Sequence, residues 1–344
     1  MTALVAETAN LDGDEFAASL LDLVKAFETV PHDVLVRAAH AKGYPLPLLR
    51  LCLAAYRLNR VIGVDGIFSR KVKATRGITA GAGFAALELR LLLLDLVRIL
   101  QNKWSPQLVL KLYVDDLTLA LRANPAELIR KLVVIIEFVV FYLEKILHME
   151  VSRKKSVVVA SLPSIAVAIS EQVKDNVISP AFHAKLLGCD FVGGSRRSTV
   201  QFQVRHGVFR CMRPQFLSLR NAGVEVQQMA RAAGTPMFLY GNENFGLSDT
   251  ALQTSRSSVA ATASSATCGK QPDITLYVID GASGKLDPAF TAHDGPLKYW
   301  ALAVLQSWFP VADLQTALEQ ATLKMNGAKR SCWSLVAGPV TALV

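Results

Sequence analysis

At 344 residues, 51% of them hydrophobic and 19% charged, the chain is long enough for two or three modules of ~100–200 residues each and should bury a sizeable core. Its formal net charge of +9 favours a polyanionic partner, nucleic acid first among them, without identifying one. Five cysteines (Cys52, Cys189, Cys211, Cys268 and Cys332) are odd in number and never spaced C-x-x-C, which argues against zinc and for reduced, buried thiols in an intracellular protein.

Residues 1 to 18 read as a loose polar leader with no secretory signal. From Ser19 the run SLLDLV is a short apolar strand interrupted by Asp22. A carboxylate there is costly unless it is solvated at a strand end or bound to metal, and both readings stay open. The stretch after it turns at Pro31 into a helix, and a second helix spans Pro45 to Asn59. VIGVDGIFS has the alternation and glycines of a hairpin. A strand, a Gly-rich loop (Gly77, Gly81, Gly83) and a long helix follow. The loop lacks the Lys-Ser/Thr of a P-loop and the spacing of a dinucleotide fold, leaving a ligand-approach loop or a plain helix entry. The apolar runs Leu87 to Leu100 and Leu132 to Leu143 are interrupted by charge or too short for a membrane span, so they read as core helices.

LVLKLYVDDLTLAL, Leu108 to Leu121, alternates with period two on either side of Asp115 and Asp116, the pattern of a half-buried hairpin. Its tip lacks the Asn-Gly chemistry of tight hairpins, although Asp tolerates positive φ, and the adjacent carboxylates repel. A divalent cation would remove that repulsion; an acidic surface turn is the other reading. A helix from Pro125 to about Leu147 follows, then Arg153, Lys154 and Lys155 before a strand at Ser156 to Ala160. Lysines in such a place are usually solvated. AKLLGCDFVGG looks like a short hairpin. From Arg196 to Arg231, seven arginines stand against Glu225 alone, with Phe202, Phe209 and Phe216 at seven-residue spacing; the aromatics suit a helix core and the arginines phosphate. Residues 248 to 272 form a Ser/Ala/Thr-rich linker or weak helix, and the helical patterns beyond Gln271 carry no readable chemistry.

Together these pieces resemble the reverse transcriptases of non-LTR (LINE-type) retroelements. LLDLVKAFETVPHDVL looks like the first palm motif, RGITAGAGFA the Gly-loop motif, YVDD at Tyr113 to Asp116 the catalytic hairpin, SRKKS the lysine motif and AKLLG the primer grip. Each is weak alone, and their ordered occurrence over residues 15 to 195 is specific. The resemblance implies an α/β (α+β) right-hand polymerase palm with the first-motif strand beside the YxDD hairpin, and a helical thumb. It implies two Mg²⁺ ions, with Mn²⁺ as an alternative, on Asp22, Asp115 and Asp116. It also implies Phe27 as the gate against a 2′-hydroxyl, Gly81 and Tyr113 at the substrate site, Lys155 toward the pyrophosphate, and Leu187 with Gly188 seating the primer. The partners would be an RNA template, a DNA primer and deoxynucleoside triphosphates, with no membrane, a nuclear or cytoplasmic location and no readable oligomeric state.

The family's Gln and Ser in the Gly loop are replaced by Ala80 and Ala85. With only about 20 residues before Asp22, the fingers are expected to be largely missing and the chain to be N-terminally truncated. The expected organisation is a leader (1–18), a palm with partial fingers (19–190), a basic thumb-like segment (191–235) and a region of unknown role (236–344). Two alternatives to an RNA-directed DNA polymerase remain: an inactive remnant that only binds nucleic acid, and a metal-dependent nuclease or phosphotransferase using the same aspartates.

Overall fold

The computed structural model describes residues 1–264, 271–327 and 338–344. The expected leader is instead α1 (Thr2–Asp12), closed by Gly13 at φ 83°, followed by β1 (Glu15–Leu21). Leu4, Val5, Ala6, Ala9 and Leu11 are buried, and so are Thr2, Glu7 and Thr8, so the helix is enclosed on most sides and the residues that made this stretch look polar are packed inside with its apolar ones. β1 begins four residues earlier than SLLDLV suggests and ends one residue before Asp22. Next come α2 (Ala26–Thr29), α3 (His32–Ala41) and α4 (Leu46–Tyr56). β2 (Asn59–Arg60), β3 (Gly63–Val64), β4 (Ile67–Phe68) and β5 (Val72–Lys73) form a small ribbon in which β2 pairs β5 and β3 pairs β4. Asp65 and Gly66 at its tip both take positive φ, 50° and 82°, as an Asp-Gly hairpin turn requires.

α5 (Ala85–Trp104), β6 (Val109–Tyr113), β7 (Asp116–Ala123) and α6 (Pro125–Phe141) come next. Asn124 caps α6, its side chain accepting from the Glu127 amide at 3.1 Å, and the helix runs on into a π turn, Tyr142–Ile146. β8 (Val157–Ala160), α7 (Pro163–Gln172) and β9 (Ser179–Ala181) make a parallel strand-helix-strand unit. β10 (Ala184–Leu186) and β11 (Cys189–Phe191) form the expected short hairpin. The elements that follow among the described residues are helices: α8 (Val200–Cys211), α9 (Arg213–Asn221), α10 (Val226–Met229), α11 (Thr235–Leu239), α12 (Asp249–Ala263), α13 (Pro272–Asp280), α14 (Pro288–Leu305), α15 (Val311–Asn326) and α16 (Pro339–Leu343). The Ser/Ala/Thr-rich segment is therefore a helix up to Ala263, capped by Ser248. Among the described residues no helix is long and apolar enough to cross a membrane.

The chain divides into two compact units. One comprises Ala17–Val159 and Pro163–Ala181 and holds a five-stranded sheet in the order β6-β7-β1-β8-β9. β1 and β7 are inner strands, and β7 is buried on both faces from Leu117 to Leu121 rather than half-buried, because Thr118 and Ala120 are small enough to pack where polar residues would face water. β6 is an edge strand and carries Lys111 outward; β9, the other edge, contains Pro180. α6 packs on β7 and α7, and Leu89, Leu92, Leu93, Leu96 and Leu100 form the buried face of α5.

The second unit comprises Met1–Phe16, Ala160–Leu162 and Phe182–Val344. One core gathers Phe209, Phe216, Val226, Phe238, Val259 and Leu276, with Phe202 at its edge. The three phenylalanines of the seven-residue pattern thus share a core but sit on two helices, α8 and α9. Four of the seven arginines are spent inside this unit rather than offered to phosphate: Arg197 on the Phe245 carbonyl, Arg205 on those of Gly188 and Tyr240, Arg220 on that of Ser264, and Arg231 on Asp280. The thiols depart from expectation as well. Cys52 and Cys189 are half-buried and Cys211 is exposed, two residues round α8 from the buried Phe209, while Cys268 and Cys332 lie outside the described residues.

A second core joins Leu4 and Leu11 of α1 to Ala303, Leu314, Ala317, Ala321 and Val340. Glu7 is fully buried there and accepts from the Val340 amide (2.6 Å), the Thr341 amide (2.7 Å) and the Thr341 hydroxyl (2.6 Å), so it caps α16. Burial outweighs these donors and the nearby Arg197 charge and pushes the Glu7 carboxyl up to about 7 from 4.5. A folded value above the unfolded one means that the native state holds the proton more tightly. Stability is then fullest below pH 4.5 and declines as pH rises through 7, by on the order of 3 kcal/mol from this group. Melting curves from pH 4.5 to 8 should show this fall, and Glu7→Gln should flatten it; an unchanged slope in the variant would assign the fall to another group.

Candidate active site

β1 carries its chain to Asp22, which stands just beyond the strand end with its side chain 23% exposed. The segment from Glu150 to Ser156 runs alongside. Val24 donates to the Glu150 carbonyl at 2.9 Å and Ser152 to the Asp22 carbonyl at 2.8 Å, while the Asp22 amide donates to Ser156 Oγ at 3.1 Å. Both main-chain polar groups of Asp22 are therefore satisfied by one loop, which fixes the direction of its side chain. Lys155 in that loop brings its ammonium to 3.3 Å from Asp22 Oδ2. That is ion-pair distance without hydrogen-bond alignment, and among the described residues no donor satisfies that buried oxygen. The solvated lysine expected from sequence is exposed yet paired.

The hairpin that carries Asp115 and Asp116 has a two-residue turn. Tyr113 pairs with Asp116 across it, so Val114 and Asp115 form the turn and Asp116 is the first residue of β7. The positive φ falls not on an aspartate but on Val114, at 59°. A β-branched residue there is a strained outlier, and such strain persists only where the surrounding structure over-determines it. Here the register of β6 on the buried β7 supplies that constraint. Tyr113 is 64% exposed.

β7 lies next to β1 in the sheet, and this brings Asp115 and Asp116 to Asp22, although Asp115 is 93 positions further along the chain. Burial, then Asp115, then Asp22 raise the Asp116 carboxyl above its ordinary value, and Lys155 only partly offsets them. The donor set consists of carboxylate oxygens, which suit a hard divalent cation. As they stand, no three His, Cys, Asp or Glu side chains among the described residues are drawn closely enough to chelate an ion.

Phe27 sits in α2, half-buried, and its carbonyl accepts from Ile78 at 2.8 Å. The Gly loop is thereby stitched to the segment after Asp22: Gly77 donates to the Val30 carbonyl at 2.7 Å, and Pro31 bridges Arg76. Gly77 has φ 92°, and a Cβ there would lie 2.7 Å from the Glu28 carbonyl oxygen, so this glycine permits the close approach. Gly81 also has positive φ but faces open space. Buried His32 donates from Nε2 to the Gly77 carbonyl (2.8 Å) and accepts at Nδ1 from Arg57 (3.0 Å), which fixes its tautomer.

Leu187 and Gly188 lie in the other unit, as the two positive-φ residues (48° and 87°) of the turn joining β10 to β11. Arg205 holds this turn by donating to the Gly188 carbonyl, and its guanidinium lies over the Tyr240 ring at 5.2 Å.

Residues 4–193, more than half of the chain, match the family of reverse transcriptases (RNA-dependent DNA polymerases). The chain belongs to the reverse transcriptase family. No curated protein matches it. The stretch read from sequence as a leader falls within the reverse transcriptase match from residue 4 onward. Reverse transcriptases act on nucleic-acid template and primer with deoxynucleoside triphosphates, and they generally use divalent metal ions.

Sequence reasoning assigned no role of their own to Ser152, Ser156, His32, Arg57 or Arg205. Ser152 and Ser156 flank the lysine motif and offered a signal, since a small hydroxyl beside a strand end often takes a backbone amide. The partnership of His32 with Arg57 left no signal in spacing. Two stability measurements check the site. Gly77→Ala should cost about 2–4 kcal/mol from the left-handed backbone and the collision with Glu28, whereas Gly81→Ala, with no collision, should cost visibly less. Asp116→Asn should raise Tm at pH 7 in metal-free buffer, because it removes a carboxylate crowded by two others; a lowered Tm would show that Lys155 overcompensates the crowding.

Proposed function

We propose that the chain is the RNA-directed DNA polymerase of a non-LTR (LINE-type) retroelement, working by two-metal nucleotidyl transfer. The observation that carries this reading is the meeting of Asp22, Asp115 and Asp116 at the ends of the adjacent strands β1 and β7, with an unsatisfied buried oxygen on Asp22 and a paired lysine beside it. In this reading the unit built on the β6-β7-β1-β8-β9 sheet is the palm, with partial fingers, and the basic helical segment from 191 to 235 is the thumb.

Asp22, Asp115 and Asp116 would hold two Mg²⁺ ions, which would activate the primer 3′-hydroxyl and neutralise charge on the triphosphate for in-line displacement. Burial and the charges of Asp115 and Asp22 together raise the Asp116 carboxyl, and a cation would offset both; with the unsatisfied buried Asp22 oxygen, this supports carboxylates that would close further around the ions when they bind. Phe27, fixed through its carbonyl to Ile78, would stand against the nucleotide sugar and reject a 2′-hydroxyl. Lys155, already positioned at Asp22, would donate a proton toward the departing pyrophosphate. Gly81 and Tyr113 would line the nucleotide site, and the Leu187–Gly188 turn would seat the primer. With Arg197, Arg205, Arg220 and Arg231 engaged internally, Arg196, Arg210 and Arg213 are the cations of the segment left for phosphate contact, which predicts a shallow salt dependence.

The test is Mg²⁺-dependent extension of a DNA primer on an RNA template by the purified chain. Asp115→Ala should reduce extension by at least ~10²-fold, and Phe27→Ala should raise ribonucleotide incorporation relative to deoxynucleotide. Salt-sensitive binding of the primer–template without extension in either Mg²⁺ or Mn²⁺ would instead identify a binding remnant. Cleavage without extension would identify a nuclease.

A further inference from the structure

The loop that holds Asp22 and presents Lys155 is itself held from its other side. Arg153 donates from one guanidinium nitrogen to Glu144 Oε1 at 2.6 Å and from another to Oε2 at 3.2 Å, a two-pronged contact. The first of these nitrogens also donates to the Val151 carbonyl at 2.9 Å, and the Val151 amide donates to Glu144 Oε1 at 3.3 Å. Each partner thus grips main chain of the same loop as well as the other side chain. An exposed ion pair of two free side chains contributes little. This one is part-buried, forked and tied to backbone at both ends.

Glu144 belongs to the π turn Tyr142–Ile146 that extends α6. A π turn adds a residue to the helical repeat and so rotates the residues beyond it, and such turns recur at functional sites. Leu143 and Leu147 stay in the core on either side, which leaves Glu144 directed at the loop. Burial works against its charge, but the donors from Arg153 and Val151 outweigh burial and hold the Glu144 carboxyl below the usual range; the Arg153 guanidinium is correspondingly raised. Within the loop, Ser152 accepts at its carbonyl from the amides of Lys155 (3.3 Å) and Ser156 (2.9 Å), while its own amide holds Asp22. A continuous chain of contacts therefore runs from the π turn through Arg153 and the Val151–Ser156 turn to the Lys155 ammonium at Asp22.

We propose that Glu144 and Arg153 are a positioning pair: by clamping the Val151–Ser156 loop they set where the Lys155 ammonium stands relative to Asp22. The purpose of that setting rests on the polymerase reading; the contact itself does not. A group misplaced by about 1 Å can lose up to ~10²-fold in rate. An arginine is required because lysine cannot make the fork.

Two measurements test the pair, and the first is independent of activity. Competitive acylation read by mass spectrometry compares Lys155 with its exposed neighbour Lys154. The Lys155-to-Lys154 ratio should rise about threefold or more in Arg153→Ala and in Glu144→Gln as the paired amine is released. The second is single-nucleotide incorporation on a DNA primer with an RNA template. Arg153→Ala should lower the maximal rate by ~10–100-fold with little change in half-saturating nucleotide, and should cause no further loss in a Lys155→Ala background. The double exchange Glu144→Arg with Arg153→Glu should recover part of the rate, and Arg153→Lys, which keeps charge and fold, should remain impaired. An unchanged acylation ratio overturns the proposal, as do losses that multiply with Lys155→Ala. A wild-type chain that extends no primer refutes the polymerase reading, and the acylation ratio then decides the clamp alone.

Discussion

Three carboxylates brought to one place at the edge of a buried sheet are the constraint on which the rest of the sheet-bearing unit depends. Burial, then Asp115, then Asp22 raise the cost of charge on Asp116, and Lys155 only partly offsets them. What holds them there is apolar. The inner strands β1 and β7 are buried along nearly their whole length, and shifting either by one residue would turn its leucines to the wrong face. The strain at Val114 belongs to the same account: a turn that the sheet would not choose is held by two strands whose register is fixed elsewhere.

The first aspartate was legible because a charge inside SLLDLV breaks an apolar run, and the pair at 115 and 116 because it breaks hairpin chemistry. That those three residues meet followed from the resemblance rather than from spacing, and strand order places them together. The hairpins at Asp65–Gly66 and Leu187–Gly188 were legible because turn residues announce themselves locally. The φ reversal at Val114 was not, since nothing in a valine predicts it; only the pairing of Tyr113 with Asp116 forces it. α1 was missed because Glu7, Thr2 and Thr8 read as polar yet are buried with its apolar residues, and its burial partners on α14, α15 and α16 are remote in sequence.

The arginines teach a related lesson about charge. Seven in one basic stretch suggested a surface for phosphate, yet four are consumed in bracing carbonyls and a buried aspartate. Net charge along a sequence counts cations and says nothing about which are already engaged. Arg153 shows the same ambiguity in reverse, since it looked like one of three solvated bases and is the member of its cluster with a forked partner.

Glu7 accepts from residues 333 and 334 positions further along the chain. During synthesis, Glu7 of α1 is made long before the amides it accepts from. At ~5–20 residues per second that interval is roughly 17–67 seconds. For most of it, Leu4 and Leu11 have neither Val340 nor Ala303, Leu314, Ala317 and Ala321 to pack against. The unit that contains α1 can therefore close only after α16 has been made, and in the meantime α1 is a helix available to chaperones or to misplaced partners.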